Sequence, residues 1–74
     1  MNCFEEFKKI LKDKVKNVDS VTMDSNLKNL GLDSLDLLEI VTDGEEKLGI
    51  RFEDEELVEF KTIGDVVRAA ERKL

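Results

Sequence analysis

The sequence predicts an all-α fold, a small four-helix bundle with a long first loop and a short third helix. Three observations predict it. Apolar and charged residues each make up 41% of the chain, and the apolar ones recur at helical spacing instead of lying sparse in a disordered acidic run. Leu, Lys and Glu are frequent and proline is absent, which favours helices over strands. One stretch, residues 50–52, alternates like a strand, but no second strand exists to pair with it. The 74 residues make one domain, 1–74. At this size a core supplies only about 3–5 kcal/mol of stability.

Residues 2–16 read as the first helix. Asn2 caps it, and Glu5 stands at capping-box spacing. Phe4, Phe7, Ile10, Leu11 and Val15 share one face, with lysines on the rest. Residues 17–33 form a long connection rich in turn formers such as Asn17, Asp19, Ser20 and Asp24. Val18, Val21, Leu27, Leu30 and Leu32 are expected to pin it across the helix ends. Asp24 and Asn26 suggest a calcium loop, but the ligand spacing, the central glycine and the closing glutamate are missing.

The second helix spans residues 34–48. Gly31 breaks the chain before it, Asp33 is its N-cap, and Gly49 ends it in the C' position. Leu35, Leu38 and Val41 recur at helical spacing, and Leu37 and Ile40 broaden the stripe. Ser34 therefore stands at the first helical position. A phosphate on its oxygen is favoured there by the dipole and the free N–H groups; the plainer reading is a serine that helps start a helix. Phe52 points inward from an extended link. Residues 54–60 form a short third helix, with Leu57, Val58 and Phe60 on its apolar side. Seven residues hold a helix only by docking. Thr62 starts the last helix, with Asp65 at capping-box spacing and Ile63, Val66, Val67, Ala70 and Leu74 facing inward.

The charge is unevenly placed. The chain carries −6, and residues 33–59 alone hold eleven acids and two bases, a net −9. Such a field repels nucleic acid and steers basic partners. Cys3 is the single cysteine, so no internal disulfide forms, which fits a reducing compartment, the cytoplasm or an organelle matrix. No apolar run approaches the roughly 18 residues of a membrane span, and the early charges do not resemble a signal peptide. With no histidine and one cysteine, zinc and Cys–His chemistry are both unsupported, and Ser34 lacks the usual base of a hydrolase.

Gly31-Leu32-Asp33-Ser34-Leu35-Asp36, with Leu30 before it and Leu37-Leu38-Glu39-Ile40-Val41 after it, resembles the attachment motif of acyl carrier proteins. The likeness covers roughly the whole chain, long first loop included. It implies that Ser34 carries 4'-phosphopantetheine, delivered from coenzyme A by a separate phosphopantetheinyl transferase, and that the protein is a monomeric carrier and not an enzyme. Acyl groups would ride as thioesters, in type II fatty acid biosynthesis or, alternatively, as polyketide, aminoacyl or peptidyl cargo. It also implies that Asp33, Asp36, Glu39, Glu45 and Glu46 meet basic patches on synthases and transferases, with Leu35 as the apolar contact. Leu38, Val41, Leu57 and Phe60 are the candidates to line the acyl pocket, against the plainer account that all four are core. A reading from another class is an acidic helical adapter without a prosthetic group.

The chain departs from the motif's usual pattern at Thr42-Asp43-Gly44, where the family has apolar or small residues and a large aliphatic side chain in place of Gly44. Three outcomes are open: a kink at Gly44, a reshaped pocket, or a gap filled by another side chain such as Phe52 or Phe60. The departure puts ordinary medium-chain fatty-acyl cargo in question.

Overall fold

A computed structural model describes residues 2–74. It contains four α-helices in the order α1 (Cys3–Leu11), α2 (Ser34–Leu48), α3 (Asp54–Leu57) and α4 (Ile63–Arg72), and no strand among the described residues. α1 packs against both α2 and α4.

α1 starts where its cap dictates: the Asn2 side chain accepts the Glu5 N–H at 3.3 Å. Cys3, Phe7, Ile10 and Leu11 are buried. The helix is shorter than the expected 2–16. Beyond Leu11 the residues Lys12-Asp13-Lys14 offer no apolar face to dock, so the chain turns, with the Lys14 and Val15 N–H groups both donating to the Leu11 carbonyl. The turn brings Lys14 to Glu39 of α2, Nζ to Oε2 2.6 Å, which raises the lysine pKa.

The long loop contains one 3-10 turn, Val18–Ser20. Val21, Leu27 and Leu32 are buried in the core, as expected of pins. The loop is also stitched to the start of α4. Asn26 and Thr62 form an antiparallel bridge. The Leu27 N–H donates to the Lys61 carbonyl at 2.9 Å, the Ile63 N–H to the Ser25 carbonyl at 3.0 Å, and the Gly64 N–H to the Met23 carbonyl at 2.7 Å. A Cβ on Gly64 would lie 2.7 Å from that Met23 oxygen, so the seam requires glycine there.

α2 runs unbroken through Gly44 and ends at Gly49, whose φ of +67° is the left-handed conformation glycine adopts freely. There is no kink. The gap is filled, but not by Phe52 or Phe60: a Cβ on Gly44 would sit 2.6 Å from Cε1 of Phe7, whose ring lies flush against the helix backbone. Phe52 and Phe60 instead pack edge to face on each other, centroids 5.5 Å apart. Phe52 is buried, as the plug expected of it.

α3 is a single turn, not the seven residues expected. Three consecutive acids suit its start, and the Glu53 N–H donates to Glu56 Oε1 at 2.8 Å. Past Leu57 the chain unwinds because Val58 is 82% exposed and has nothing to dock on, contrary to its expected place on the apolar side. Lys73 holds the turn from the end of α4, Nζ to Glu56 Oε1 2.8 Å. α4 is capped as expected, the Asp65 N–H donating to Thr62 Oγ1 at 3.2 Å. Ile63, Val66, Val67 and Ala70 are buried, whereas Leu74 is exposed.

Two of these caps set an acid limit. The Lys61 and Thr62 N–H groups lower the Asp65 pKa, chiefly by donating to its carboxylate. The Glu53 N–H and then Lys73 lower that of Glu56. A carboxyl depressed in the folded state stabilises above its unfolded pKa and loses that contribution as pH falls through the folded one. Thermal melts should therefore hold level above pH 5 and drop below about 4.5, near the ordinary Glu56 value of 4.5. Asp65→Asn should flatten part of that drop.

Candidate functional site

Ser34 is the first residue of α2, and its side chain is exposed. Its position is set by a reciprocal cap on either side of it. The Asp36 N–H donates to Asp33 Oδ1 at 2.9 Å, and the Asp33 N–H to Asp36 Oδ2 at 3.4 Å. The Leu37 N–H goes to the Asp33 carbonyl. The N–H groups of Ser34 and Leu35 are left as free donors of the first turn, beside the positive end of a fifteen-residue helix.

The hydroxyl of Ser34 is set apart from the others. Ser20 Oγ donates to the Asn17 carbonyl, Ser25 Oγ accepts the Thr22 N–H and lies 3.5 Å from Thr22 Oγ1, Thr42 Oγ1 donates to the Leu38 carbonyl, and Thr62 Oγ1 caps α4. Among the described residues, Ser34 is the one serine or threonine whose hydroxyl has no protein partner.

Ser34 stands between two clefts. The larger, of about 730 Å³, runs toward the loop–α4 seam and is lined by Leu32, Phe60, Lys28 and Lys61 among others. The smaller, of about 260 Å³, runs along α2 and is bounded by Leu38 and Val41. Ser34, Leu37, Leu57 and Val58 border both. The four pocket candidates are thus divided: Leu38, Val41 and Leu57 lie together along the smaller cleft, while Phe60 lines the larger. Val41 is 2% exposed and Leu38 52%, so they form its floor and its rim. Sequence reasoning missed Val58 as a cleft residue and placed Leu37 only in the apolar stripe. The position of Leu37 one turn after Ser34 was the available signal.

The acids of α2 are not equivalent. Asp33 and Asp36 each commit one carboxylate oxygen to the cap; Asp33 is exposed and Asp36 half-buried. Glu39 is paired with Lys14. Glu45 is turned inward, its Oε2 accepting the Phe52 N–H at 2.7 Å. Glu46 is exposed, as is Asp43, an acid of the same polar face that the resemblance did not count among the docking residues. Leu35 is 65% exposed beside Ser34.

The model of the family described as "Phosphopantetheine attachment site" matches residues 5–70. The acyl carrier protein of Coprothermobacter proteolyticus is 45% identical over 73 residues, covering 96% of this chain and 89% of that one. The chain belongs to the phosphopantetheine-binding acyl carrier protein family. The acyl carrier protein of Clostridium perfringens is similar at 44% identity over 66 residues, covering 86% of this chain and 87% of its own. That of Thermotoga maritima is similar at 38% over 73 residues, covering 96% and 90%. An acyl carrier protein is a carrier, not an enzyme, and its prosthetic group is phosphopantetheine. Its work implies encounters with other enzymes and with acyl cargo. No helix among the described residues is long and apolar enough to cross a membrane.

The residues around Ser34 fit such a group. A free hydroxyl can take a phosphodiester bond, two unused N–H donors lie beside it, and a cleft with apolar residues in its lining opens on each side.

Proposed function

We propose that Ser34 is the attachment residue and that the chain carries acyl intermediates of type II fatty acid biosynthesis. The observation that carries this reading is the unpartnered Ser34 hydroxyl at the start of α2, in a chain where the other serines and threonines are all engaged. The bound group supplies a flexible arm ending in a thiol, which holds acyl groups as thioesters. The protein's own share is to present Ser34 to solvent, to place the free N–H groups of Ser34 and Leu35 next to the phosphate, and to shield cargo from water.

Shielding falls to Leu38, Val41 and Leu57 along the smaller cleft and to Phe60 in the larger. Docking of a basic enzyme surface falls to Asp33, Asp36 and Glu46 around the exposed Leu35, with Asp43 beside them. Glu39 and Glu45 contribute less, because Lys14 and the Phe52 N–H already hold them. The net −9 of residues 33–59 favours fast, salt-sensitive encounter with such surfaces. The transferase brings the base that activates the hydroxyl, since neither lysine nor histidine adjoins Ser34 in sequence.

The Phe7 ring against Gly44 favours a second reading, a carrier of specialised cargo, because it fills space that a large α2 side chain would otherwise shape. Intact mass after incubation with coenzyme A and a broad-specificity transferase tests the carrier reading. A gain of one phosphopantetheine is expected, and a folded but unmodified chain would overturn it. The mass on the arm of chain purified from its host separates fatty from specialised cargo.

A further inference from the structure

We propose that Lys14 is a built-in rival of the basic partners that dock on α2, and that it sets how tightly the chain holds them. The proposal rests on the reading that the acids of α2 meet basic enzyme surfaces.

Residues 8–16 hold five lysines, and one of them pairs with an acid of α2. Lys9 pairs with Glu6 on its own helix, and Lys8 lies over the Phe4 ring. Lys12 and Lys16 are in no ion pair among the described residues. Lys14 differs because α1 stops at Leu11. Its N–H and that of Val15 both close on the Leu11 carbonyl, at 2.8 and 2.9 Å, and Val15 packs on the core. The anchored turn lays Lys14 against a residue 25 positions further along the chain.

The acids it faces form one stripe. Asp36, Glu39 and Asp43 are spaced by three and four residues, which puts them on one side of α2. Lys14 Nζ lies 2.6 Å from Glu39 Oε2, and the charges of Asp36 and Asp43 add to the field at its ammonium. The pair is lopsided: the Lys14 side chain is 17% exposed and that of Glu39 54%. The lysine is thus held along the protein while the carboxylate stays open to an incoming cation.

A basic partner therefore meets a stripe whose central carboxylate already has a counter-ion. Lys14 is tethered, so it competes at an effective concentration that dilution does not lower. Exposed pairs are weak, so the contact lowers affinity without closing the face. A carrier must leave each enzyme as well as reach it, and Lys14 gives Glu39 a partner to return to.

The test titrates a tetra-arginine peptide amide, a stand-in for a basic enzyme surface, into the unmodified chain at low salt and follows the α2 amide NMR shifts. Lys14→Gln should bind it about two- to fivefold tighter, the range one exposed ion pair allows. Lys14→Arg keeps the cation and should match wild type. Lys12→Gln removes the same charge without a pair and should gain less than Lys14→Gln. In a Glu39→Gln background the gain from Lys14→Gln should shrink to that of Lys12→Gln. Circular dichroism shows each variant folded before it is compared. Equal affinity of wild type and Lys14→Gln, the same gain in Lys12→Gln, or a gain that Glu39→Gln leaves undiminished overturns the proposal. In a second arm a phosphopantetheinyl transferase modifies the same chains. The gain should appear there as a lower KM with kcat unchanged; a change in kcat alone would place Lys14 in the presentation of Ser34 and overturn the proposal. If Glu46→Gln leaves KM unchanged, the docking reading fails for that enzyme, and the peptide titration still decides the role of Lys14.

Discussion

Ser34→Ala should abolish every mass gain from coenzyme A and a phosphopantetheinyl transferase, while the fold and the unfolding midpoint stay close to wild type. The asymmetry follows from how the start of α2 is built. Asp33 and Asp36 make the reciprocal cap, and the Ser34 hydroxyl has no part in it. Alanine is also the best helix former. The stability change should stay within about 0.5 kcal/mol, as for exposed sites away from special features. Asp33→Ala gives the complementary pattern: it removes the cap and should cost about 1 kcal/mol. Urea unfolding and intact mass on both variants separate the two roles. A folded Ser34→Ala chain that still gains phosphopantetheine would move the attachment elsewhere.

Phe7→Ala should be the most destabilising single substitution in the chain, costing about 3–5 kcal/mol. That equals the whole stability expected of a core this size, so most molecules would be unfolded at room temperature. Phe7 is 1% exposed and its ring lies where a Gly44 side chain would stand. Gly44→Leu alone should also destabilise, by about 1–3 kcal/mol or more, since the ring cannot withdraw without displacing the core. The two positions should be strongly coupled. Phe7→Val with Gly44→Leu exchanges the large side chain from α1 to α2 and should be more stable than the sum of the single changes predicts, by about 1–3 kcal/mol. A thermodynamic cycle by urea denaturation measures this directly. Additive effects would show that the ring and the glycine are not a matched pair.

That pair also marks the boundary of what could be read from the chain. Caps are local chemistry, so Asn2, Asp33, Gly49 and Thr62 announced where helices start or stop. The inward faces of α1 and α4 followed from periodicity, Leu74 excepted, whereas on α2 only Ile40 and Val41 of the expected stripe are buried and Leu35 and Leu38 lie exposed. The exposed hydroxyl at the start of α2 was legible from the Asp33 cap. The end of α1 was not, because Val15 continues the apolar spacing while the bundle offers it only partial burial. Nor was the single turn of α3, whose length depends on what Leu57 and Phe60 find to dock on. Phe7 was read as an ordinary core residue; that it closes the gap at Gly44 depends on how two helices cross, information absent from either stretch alone. Lys28 and Lys61 likewise become neighbours of one cleft only once the loop is seamed to α4.

The seam has a consequence for time. Loop amide protons ordinarily trade with solvent quickly, because local openings expose them without disturbing the core. Here the Leu27, Ile63 and Gly64 N–H groups close hydrogen bonds between distant segments, so none can open without parting the loop from the last helix. In deuterated water these three should be among the slowest protons to leave, on the same clock as the buried turns of α4. The N–H groups of Ser34 and Leu35, a few residues away, should be among the first.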